Sequence, residues 1–164
     1  MTTLLYTHPV FLEHDTGYGH PECPARLTAI LNALKHSSFA ALQWRDAPLA
    51  AIEQLTRIHT AAHVERTLSR IPKHGHYAID GDTIVSPQSG EAALRAAGAV
   101  CAAVDAVLQG EADNAFCAIR PPGHHAEPNQ AMGFCLFGNA AIGAAHARAI
   151  HDLKRVAVID FDVH

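Results

Sequence analysis

Residues 156–164 read Val-Ala-Val-Ile-Asp-Phe-Asp-Val-His. The apolar run predicts a β-strand over Val156–Phe161 that is buried on both faces in a parallel sheet. Because side chains alternate along a strand, Asp160, Asp162 and His164 should leave the same face. A carboxylate and an imidazole at that spacing can bind one metal ion from two sides. We therefore predict that Asp162 and His164 are metal ligands, with Asp160 one step deeper.

The metal expected at this segment is zinc, because His164 supplies a nitrogen ligand that suits zinc better than magnesium. A catalytic zinc site normally takes three protein ligands and one open position. Two ligands do not complete it, so the sequence predicts the front part of a metalloenzyme. Two alternatives stay open: a strand end with solvated acids, and a magnesium-dependent phosphatase of the haloacid dehalogenase type. The apolar strand followed by Asp160-x-Asp162 resembles the nucleophile motif of those phosphatases.

The composition limits the class of protein. The 164 residues are 49% hydrophobic and 17% charged, which fits one globular domain. The net charge of −4 predicts neither a nucleic-acid nor a membrane partner. Four widely spaced cysteines indicate free thiols, and the N-terminus has no signal-peptide pattern, so we expect a cytoplasmic protein.

Strand and helix patterns alternate in the second half of the chain. A strand over Phe116–Ile119, a helix over about Asn139–Ile150 and the strand Val156–Phe161 predict a parallel α/β sheet. In such sheets the ligand site lies beyond the carboxyl ends of the strands. Further elements are predicted in the first half, namely a strand at Leu4–Tyr6, a helix from Pro24, two short helices within Ile52–Ile71, a turn at Asp80–Thr83, and an Ala-rich helix to Leu108 capped by Ser89.

Two adjacent histidines follow the strand at Phe116–Ile119. The loop reads Arg-Pro-Pro-Gly-His-His-Ala over residues 120–126, and its prolines and glycine stiffen the backbone before His124 and His125. Histidine exchanges its proton near neutral pH, which suits general acid–base catalysis. Paired histidines in a loop are also often plain surface residues, so the pair alone decides nothing.

Five motifs together are more specific than any one of them. They are His20-Pro21-Glu22-x-Pro24-x-Arg26, Asp82-Thr83, Arg120-Pro121-Pro122-Gly123-His124-His125, Gly133-Phe134-Cys135 and Asp160-x-Asp162-x-His164. This succession resembles the histone deacetylase superfamily, especially its class II-like bacterial members and the acetylpolyamine amidohydrolases. The resemblance runs from Tyr6 to His164. It implies an arginase/deacetylase-like α/β fold with a central parallel sheet, truncated so that residues 1–164 form the N-terminal portion of a single catalytic domain.

The resemblance also implies roles for the residues near the strand ends. Asp162 and His164 correspond to two of three zinc ligands, and the third is expected well downstream. His124 and His125 correspond to the tandem histidines, with His125 as the general acid–base. Asp160 corresponds to a carboxylate that hydrogen-bonds His124 and helps to hold a structural potassium ion near Asp160, Asp162 and His164.

Substrate-binding residues are implied in the same way. Gly133 and Phe134 resemble the wall of a narrow tunnel for an acyl-amine chain. Arg26 resembles an arginine that lines an internal pocket below the metal, and Asp82 a rim carboxylate. One departure is Gly138, which stands where class II-like members commonly have the first Asn of an Asn-Asn pair.

The resulting hypothesis is a zinc-dependent amidohydrolase that removes an acetyl or other acyl group from an amine such as acetyl-lysine or an acetylpolyamine. Besides the phosphatase, the alternative is a truncated fragment that binds without turnover. The 164-residue chain alone is expected to be inactive and poorly stable. Oligomers are compatible with the sequence.

Overall fold

The computed structural model of the chain describes residues 1–163. Its strands are β1 (Thr3–Thr7), β2 (Gln43–Asp46), β3 (Tyr77–Ala78), β4 (Ile84–Val85) and β5 (Asn114–Cys117). Its α-helices are α1 (Pro24–Leu34), α2 (Ile52–Leu55), α3 (Ala61–Ser69), α4 (Ser89–Leu108) and α5 (Asn139–Ile150). Short 3₁₀ helices cover Pro9–Leu12 and Ser37–Phe39.

Strand β1 is the centre of a parallel sheet. In the described residues the strand order is β2-β1-β5, and β1 pairs in parallel with both neighbours. Its apolar residues Leu4 and Leu5 are buried on opposite faces, as expected for a strand with layers on both sides. The prediction of a parallel α/β sheet is confirmed.

The long helix α4 packs closely against its neighbours because its contact face consists of small residues. A β-carbon at Gly98 would lie 2.1 Å from the carbonyl oxygen of Pro48. At the α4–α5 contact, a β-carbon at Gly143 would lie 2.4 Å from Cγ1 of Val100. Gly98 allows the Pro48 segment to approach α4, and Gly143 allows α5 to pack closely against α4. The start of α5 contacts the loop after β5 through the hydrogen bond from Ala140 to Gly123.

Most predicted helices are confirmed, including the start of α1 at Pro24, the two short helices α2 and α3, and the bounds of α5. The predicted N-cap role of Ser89 is wrong, because Ser89 is the first helical residue and Gln88 is the cap. The hydroxyl of Ser89 instead accepts a hydrogen bond from the backbone N–H of Ser86 at 2.8 Å. It lies 2.6 Å from Nδ1 of His14.

The predicted strand Val156–Phe161 is wrong for the structure described here, since this segment has no regular secondary structure. Ile159 and Phe161 are 85% and 91% exposed. A parallel strand buried on both faces needs neighbours on both sides. In residues 1–163 the segment pairs with no strand and β5 remains an edge, so the expected burial does not occur.

The strand after α4 also differs from its prediction. It covers Asn114–Cys117 rather than Phe116–Ile119, and Phe116 is half exposed because β5 has a strand neighbour on one side only. The four cysteines are free thiols, as predicted. Burial raises the pKa of Cys101 to about 11 and that of Cys117 to about 12, so both stay protonated at neutral pH. Among the described residues, no helix is long and apolar enough to cross a bilayer.

Candidate active site

A buried ion pair fixes the start of the histidine loop. Arg120 follows β5 and is completely buried. Its Nε and Nη2 donate to the two carboxylate oxygens of Glu22 at 2.6 and 2.7 Å. Its Nη1 donates to the backbone carbonyls of Phe11 and His14 at 2.7 and 2.9 Å. The bidentate geometry is the strong form of this interaction, so it holds three chain segments together below the loop.

Arg120 also controls the charge of Glu22. Burial alone would raise the pKa of Glu22, but the hydrogen bonds and the positive charge of Arg120 outweigh it and lower the pKa. Next to this pair lies His14, whose Nε2 is 3.7 Å from the Glu22 carboxylate and has no hydrogen-bond partner within residues 1–163. Burial nevertheless lowers the pKa of His14 to about 4, so its ring is neutral at pH 7.

Arg26, the residue expected to line an internal pocket, lies at the edge of this network. Its Nη2 donates to Glu22 at 3.2 Å and to the backbone carbonyl of Ile119 at 3.3 Å. Ile119 directly precedes Arg120, so Arg26 lies below the start of the histidine loop. Its side chain is 42% exposed, so the guanidinium also faces solvent.

The histidine loop is anchored to the start of α5. The backbone N–H of Ala140 donates to the carbonyl of Gly123 at 3.0 Å. Gly123 has no room for a side chain, because a β-carbon there would lie 2.3 Å from Cγ of Asn139. The rings of His124 and His125 follow, with their centroids 4.1 Å apart. The start of α5 thus fixes the backbone that carries the two imidazoles.

Asp160 lies next to His124. The Nδ1 atom of His124 is 3.0 Å from Oδ2 of Asp160, and the other carboxylate oxygen accepts from the backbone N–H of Asp162 at 3.0 Å. The backbone hydrogen bond from Asp162 is the main cause of the lowered pKa of Asp160, followed by the contact with His124. The contact implied by the resemblance is therefore present. His164, the second predicted ligand, lies outside the described residues.

Gly133 lies against the second histidine, and Phe134 follows it in the chain. A β-carbon at Gly133 would be 2.6 Å from Cδ2 of His125, and Gly133 has a φ of +56°, so glycine satisfies both the space and the backbone conformation. Phe134 also has a positive φ, +67°, which is uncommon outside glycine. The His20 ring packs edge-on against Phe134 with 4.9 Å between centroids.

Asp82 joins this group through backbone and hydroxyl contacts. Thr83 Oγ1 accepts from the N–H of Phe134 at 3.2 Å and lies 3.0 Å from Oδ1 of Asp82. Nε2 of His20 donates to the carbonyl of Asp82 at 2.9 Å. The structure therefore brings Asp82, Gly133, Phe134 and the histidine loop into one region.

Two buried histidines behind this region were not singled out from the sequence. Nε2 of His59 accepts from the N–H of Gly138 at 2.9 Å, and its Nδ1 donates to the carbonyl of Glu127 at 2.9 Å. His63 Nε2 donates to the carbonyl of Leu136 at 3.1 Å. Gly138, which departs from the family pattern, is thus hydrogen-bonded to His59 through its backbone N–H. No spacing motif marks the two histidines, because their partners are backbone atoms about 70 residues away.

The arrangement has the parts of a proton-transfer site. It has two adjacent imidazoles on a fixed loop, a carboxylate at Nδ1 of the first, and the backbone of Gly133 against the second. A carboxylate at one ring nitrogen fixes the tautomer and orientation of a histidine. A second group of possible metal ligands, Asp105, His146 and His151, lies apart from this region, on α4 and at the end of α5.

Comparisons with known proteins point to one family. A histone deacetylase domain matches residues 20–164. The histone deacetylase-like amidohydrolase of Pseudomonas aeruginosa is 46% identical over 147 residues, which are 89% of this chain and 38% of that protein. The polyamine deacetylase HDAC10 of Homo sapiens is 38% identical over 174 residues, with 100% of this chain and 26% of that protein covered.

The fold agrees as well. The crystal structure of the HDA15 HD domain superposes with a TM-score of 0.85 at 31% identity, covering 90% of this chain and 44% of that chain. This chain thus spans less than half the length of these relatives. The match supports the arginase/deacetylase-like fold and gives the phosphatase alternative no support. On the evidence of the domain match and the shared fold, the chain belongs to the histone deacetylase family.

Proposed function

We propose that residues 1–164 form the N-terminal portion of a zinc-dependent amidohydrolase domain that removes an acyl group from an amine. The observation that carries the proposal is the 3.0 Å contact between His124 and Asp160. It joins the tandem-histidine loop to the segment that contains the proposed ligands Asp162 and His164.

The donor set of this segment fits zinc. A carboxylate and an imidazole are both common zinc ligands. The Asp160 carboxylate is held by His124 and by the backbone of Asp162, so the segment is oriented beside the histidines. Zinc bound there would polarise an amide carbonyl and lower the pKa of water. A structural potassium ion near Asp160, Asp162 and His164 is part of the same proposal.

The chain's own residues would move the protons. His125 would accept a proton from the attacking water and donate it to the leaving amine. Asp160 would hold the tautomer of His124 through Nδ1. Phe134 would form one apolar wall beside His125, which suits an aliphatic acyl-amine chain such as acetyl-lysine or an acetylpolyamine. Asp82 would lie at the rim and Arg26 below the loop.

The test uses a chimeric protein in which this chain replaces the matching part of the Pseudomonas aeruginosa amidohydrolase. We expect the chimera to hydrolyse an acetyl-lysine peptide and to bind stoichiometric zinc. His125→Ala should lower kcat/KM by about 10²–10⁴-fold with zinc content unchanged. Asp162→Ala should lose zinc. The 164-residue chain alone should show no turnover.

A matched control is His74→Ala, since His74 is exposed and lies outside the site. It should retain full activity and zinc. Wild-type rates for a folded His125→Ala chimera would contradict the acid–base role, and full zinc in Asp162→Ala would contradict the ligand assignment. An active 164-residue chain would contradict the proposal that this part of the domain is incomplete alone.

A further inference from the structure

Asp105, His146 and His151 form a compact cluster between the two longest helices. Nε2 of His146 and Nε2 of His151 each lie 2.7 Å from Oδ1 of Asp105. The three possible ligand atoms lie within 4.8 Å of one another. The side chain of His146 is buried, that of His151 is nearly so, and Asp105 is one-third exposed. An ion and its water ligands could therefore enter from the carboxylate side.

The scaffold below the cluster is rigid. Asp105 lies on α4 and His146 on α5, and His151 directly follows α5. The close packing of Gly143 against Val100 lies about one turn from His146 and fixes the separation of the helices. Because two ligands lie on helices and one at a helix end, the backbone of the site needs little rearrangement when an ion binds.

The ligand set is one carboxylate oxygen and two imidazole nitrogens. It suits Zn²⁺ and related first-row divalent ions and leaves positions open for water. Bonds of about 2.0–2.2 Å place donor atoms roughly 3–3.5 Å apart. The two 2.7 Å contacts would therefore open by less than about 1 Å when an ion enters.

Arg57 opposes such binding. Its Nη1 lies 2.8 Å from Nδ1 of His146. A guanidinium only donates hydrogen bonds, so Nδ1 must accept and Nε2 must carry the proton that points to Asp105. A metal at Nε2 requires the other tautomer, with the proton on Nδ1. The contact between Arg57 and His146 must break before the metal binds.

There is space for that movement. Arg57 lines an open cavity of about 370 Å³ together with Arg148, Asp152 and Lys154. Arg57 borders this cavity, which offers its side chain a place when the contact with His146 breaks. We propose that Asp105, His146 and His151 bind a divalent ion of the zinc class, and that Arg57 lowers the affinity by holding His146 in the competing tautomer.

This site is separate from the proposed active site. The histidine loop contacts the start of α5, through Ala140 and Asn139. At a rise of about 1.5 Å per residue, His146 lies roughly 10 Å and His151 roughly 18 Å further along the helix axis.

The test measures Zn²⁺ binding by titration calorimetry in the chimera with the Pseudomonas aeruginosa amidohydrolase described above. Asp162→Ala and His164→Ala are present in every sample, so the ligands of the proposed active site are removed. Arg57→Gln offers His146 an amide oxygen that can accept from Nδ1–H. We expect Arg57→Gln to bind one Zn²⁺ about 10- to 100-fold more tightly, the usual effect of a change in a partner of a metal-bound histidine.

Arg148→Gln is the matched control, because it removes the same charge from the same cavity without contacting His146. It should change the affinity by less than about threefold. Adding His151→Ala to Arg57→Gln should abolish the tight binding, and the ¹⁵N signals of His146 and His151 should shift on adding Zn²⁺ to Arg57→Gln. Equal affinities for Arg57→Gln and Arg148→Gln, or tight binding that survives His151→Ala, would overturn the proposal.

Discussion

The Glu22–Arg120 pair and the Asp160–His124 pair both join a carboxylate to a nitrogen-bearing side chain, but their surroundings are opposite. Glu22 and Arg120 are 5% and 0% exposed, and every arm of the guanidinium has a partner. Asp160 and His124 are 53% and 24% exposed. The first pair determines where the histidine loop begins. The second lies at the segment of the proposed metal ligands and, because both side chains are partly exposed, should contribute little to stability.

The largest expected effect comes from breaking the buried pair. Arg120→Met leaves the Glu22 carboxylate buried without its main partner, so the free energy of unfolding should fall by about 3–5 kcal/mol. Arg26→Met, which removes a partly exposed partner of the same carboxylate, should cost less than about 1 kcal/mol. Urea unfolding of the chimera described above, followed by pulse proteolysis, measures both losses. Equal losses would show that the two contacts do not differ as described, and adding Glu22→Gln to Arg120→Met should recover part of the loss.

The next largest effect is a pH dependence of the free energy of unfolding that comes from the buried His14. His14 has an ordinary pKa of 6.5 when unfolded and about 4 when folded, so the unfolded chain binds the additional proton between these values. Stability is therefore full above pH 6.5 and falls by about 3 kcal/mol as the pH drops to 4. His14→Gln should flatten this slope while the exposed His74→Gln retains it. An unchanged slope in His14→Gln would assign the dependence to other groups.

A substitution at Gly133 tests the close approach of its backbone to the ring of His125. Gly133→Ala combines an unfavourable φ with a β-carbon 2.6 Å from the His125 ring, so we expect a loss of about 1–3 kcal/mol and a shifted His125 NMR signal. Gly110→Ala has a similar φ of +79° but open space around the β-carbon, so it should cost about 1 kcal/mol and leave His125 unchanged. If both variants behave alike, the close approach to His125 is not a constraint.

The smallest effect on stability should come from the exposed pair. Asp160→Ala should leave the unfolding midpoint unchanged but shift the ¹⁵N signal of Nδ1 in His124, because that nitrogen loses its carboxylate partner. Asp152→Ala, an exposed acid after α5, should leave both quantities unchanged. A clear loss of stability in Asp160→Ala, or an unchanged His124 signal, would contradict the comparison between the two pairs.

The sequence predicted the elements that depend on local patterns. Pro24 predicted the start of α1, and the resemblance to the histone deacetylase superfamily implied that Asp160 meets His124. The sequence did not predict β2, because its four residues are all exposed and show no alternation of apolar and polar side chains. The error at Val156–Phe161 has another origin, since strand formation there depends on neighbouring strands and not on the residues of the segment. The Asp105 cluster was missed because its contacts join residues 41 and 46 positions apart.

The central position of β1 has a consequence for synthesis. The residues of β2 that pair with β1 follow it in the chain by about 40 positions. The residues of β5 that pair with β1 follow it by 111 positions, as Asn114 does Thr3. At about 5–20 residues per second, roughly 6 to 20 s pass between translation of the two strands. During that interval the second edge of β1 has no strand beside it, and Arg120 has not yet reached Glu22. The nascent chain should therefore bind chaperones at its N-terminus until residues 114–120 leave the ribosome.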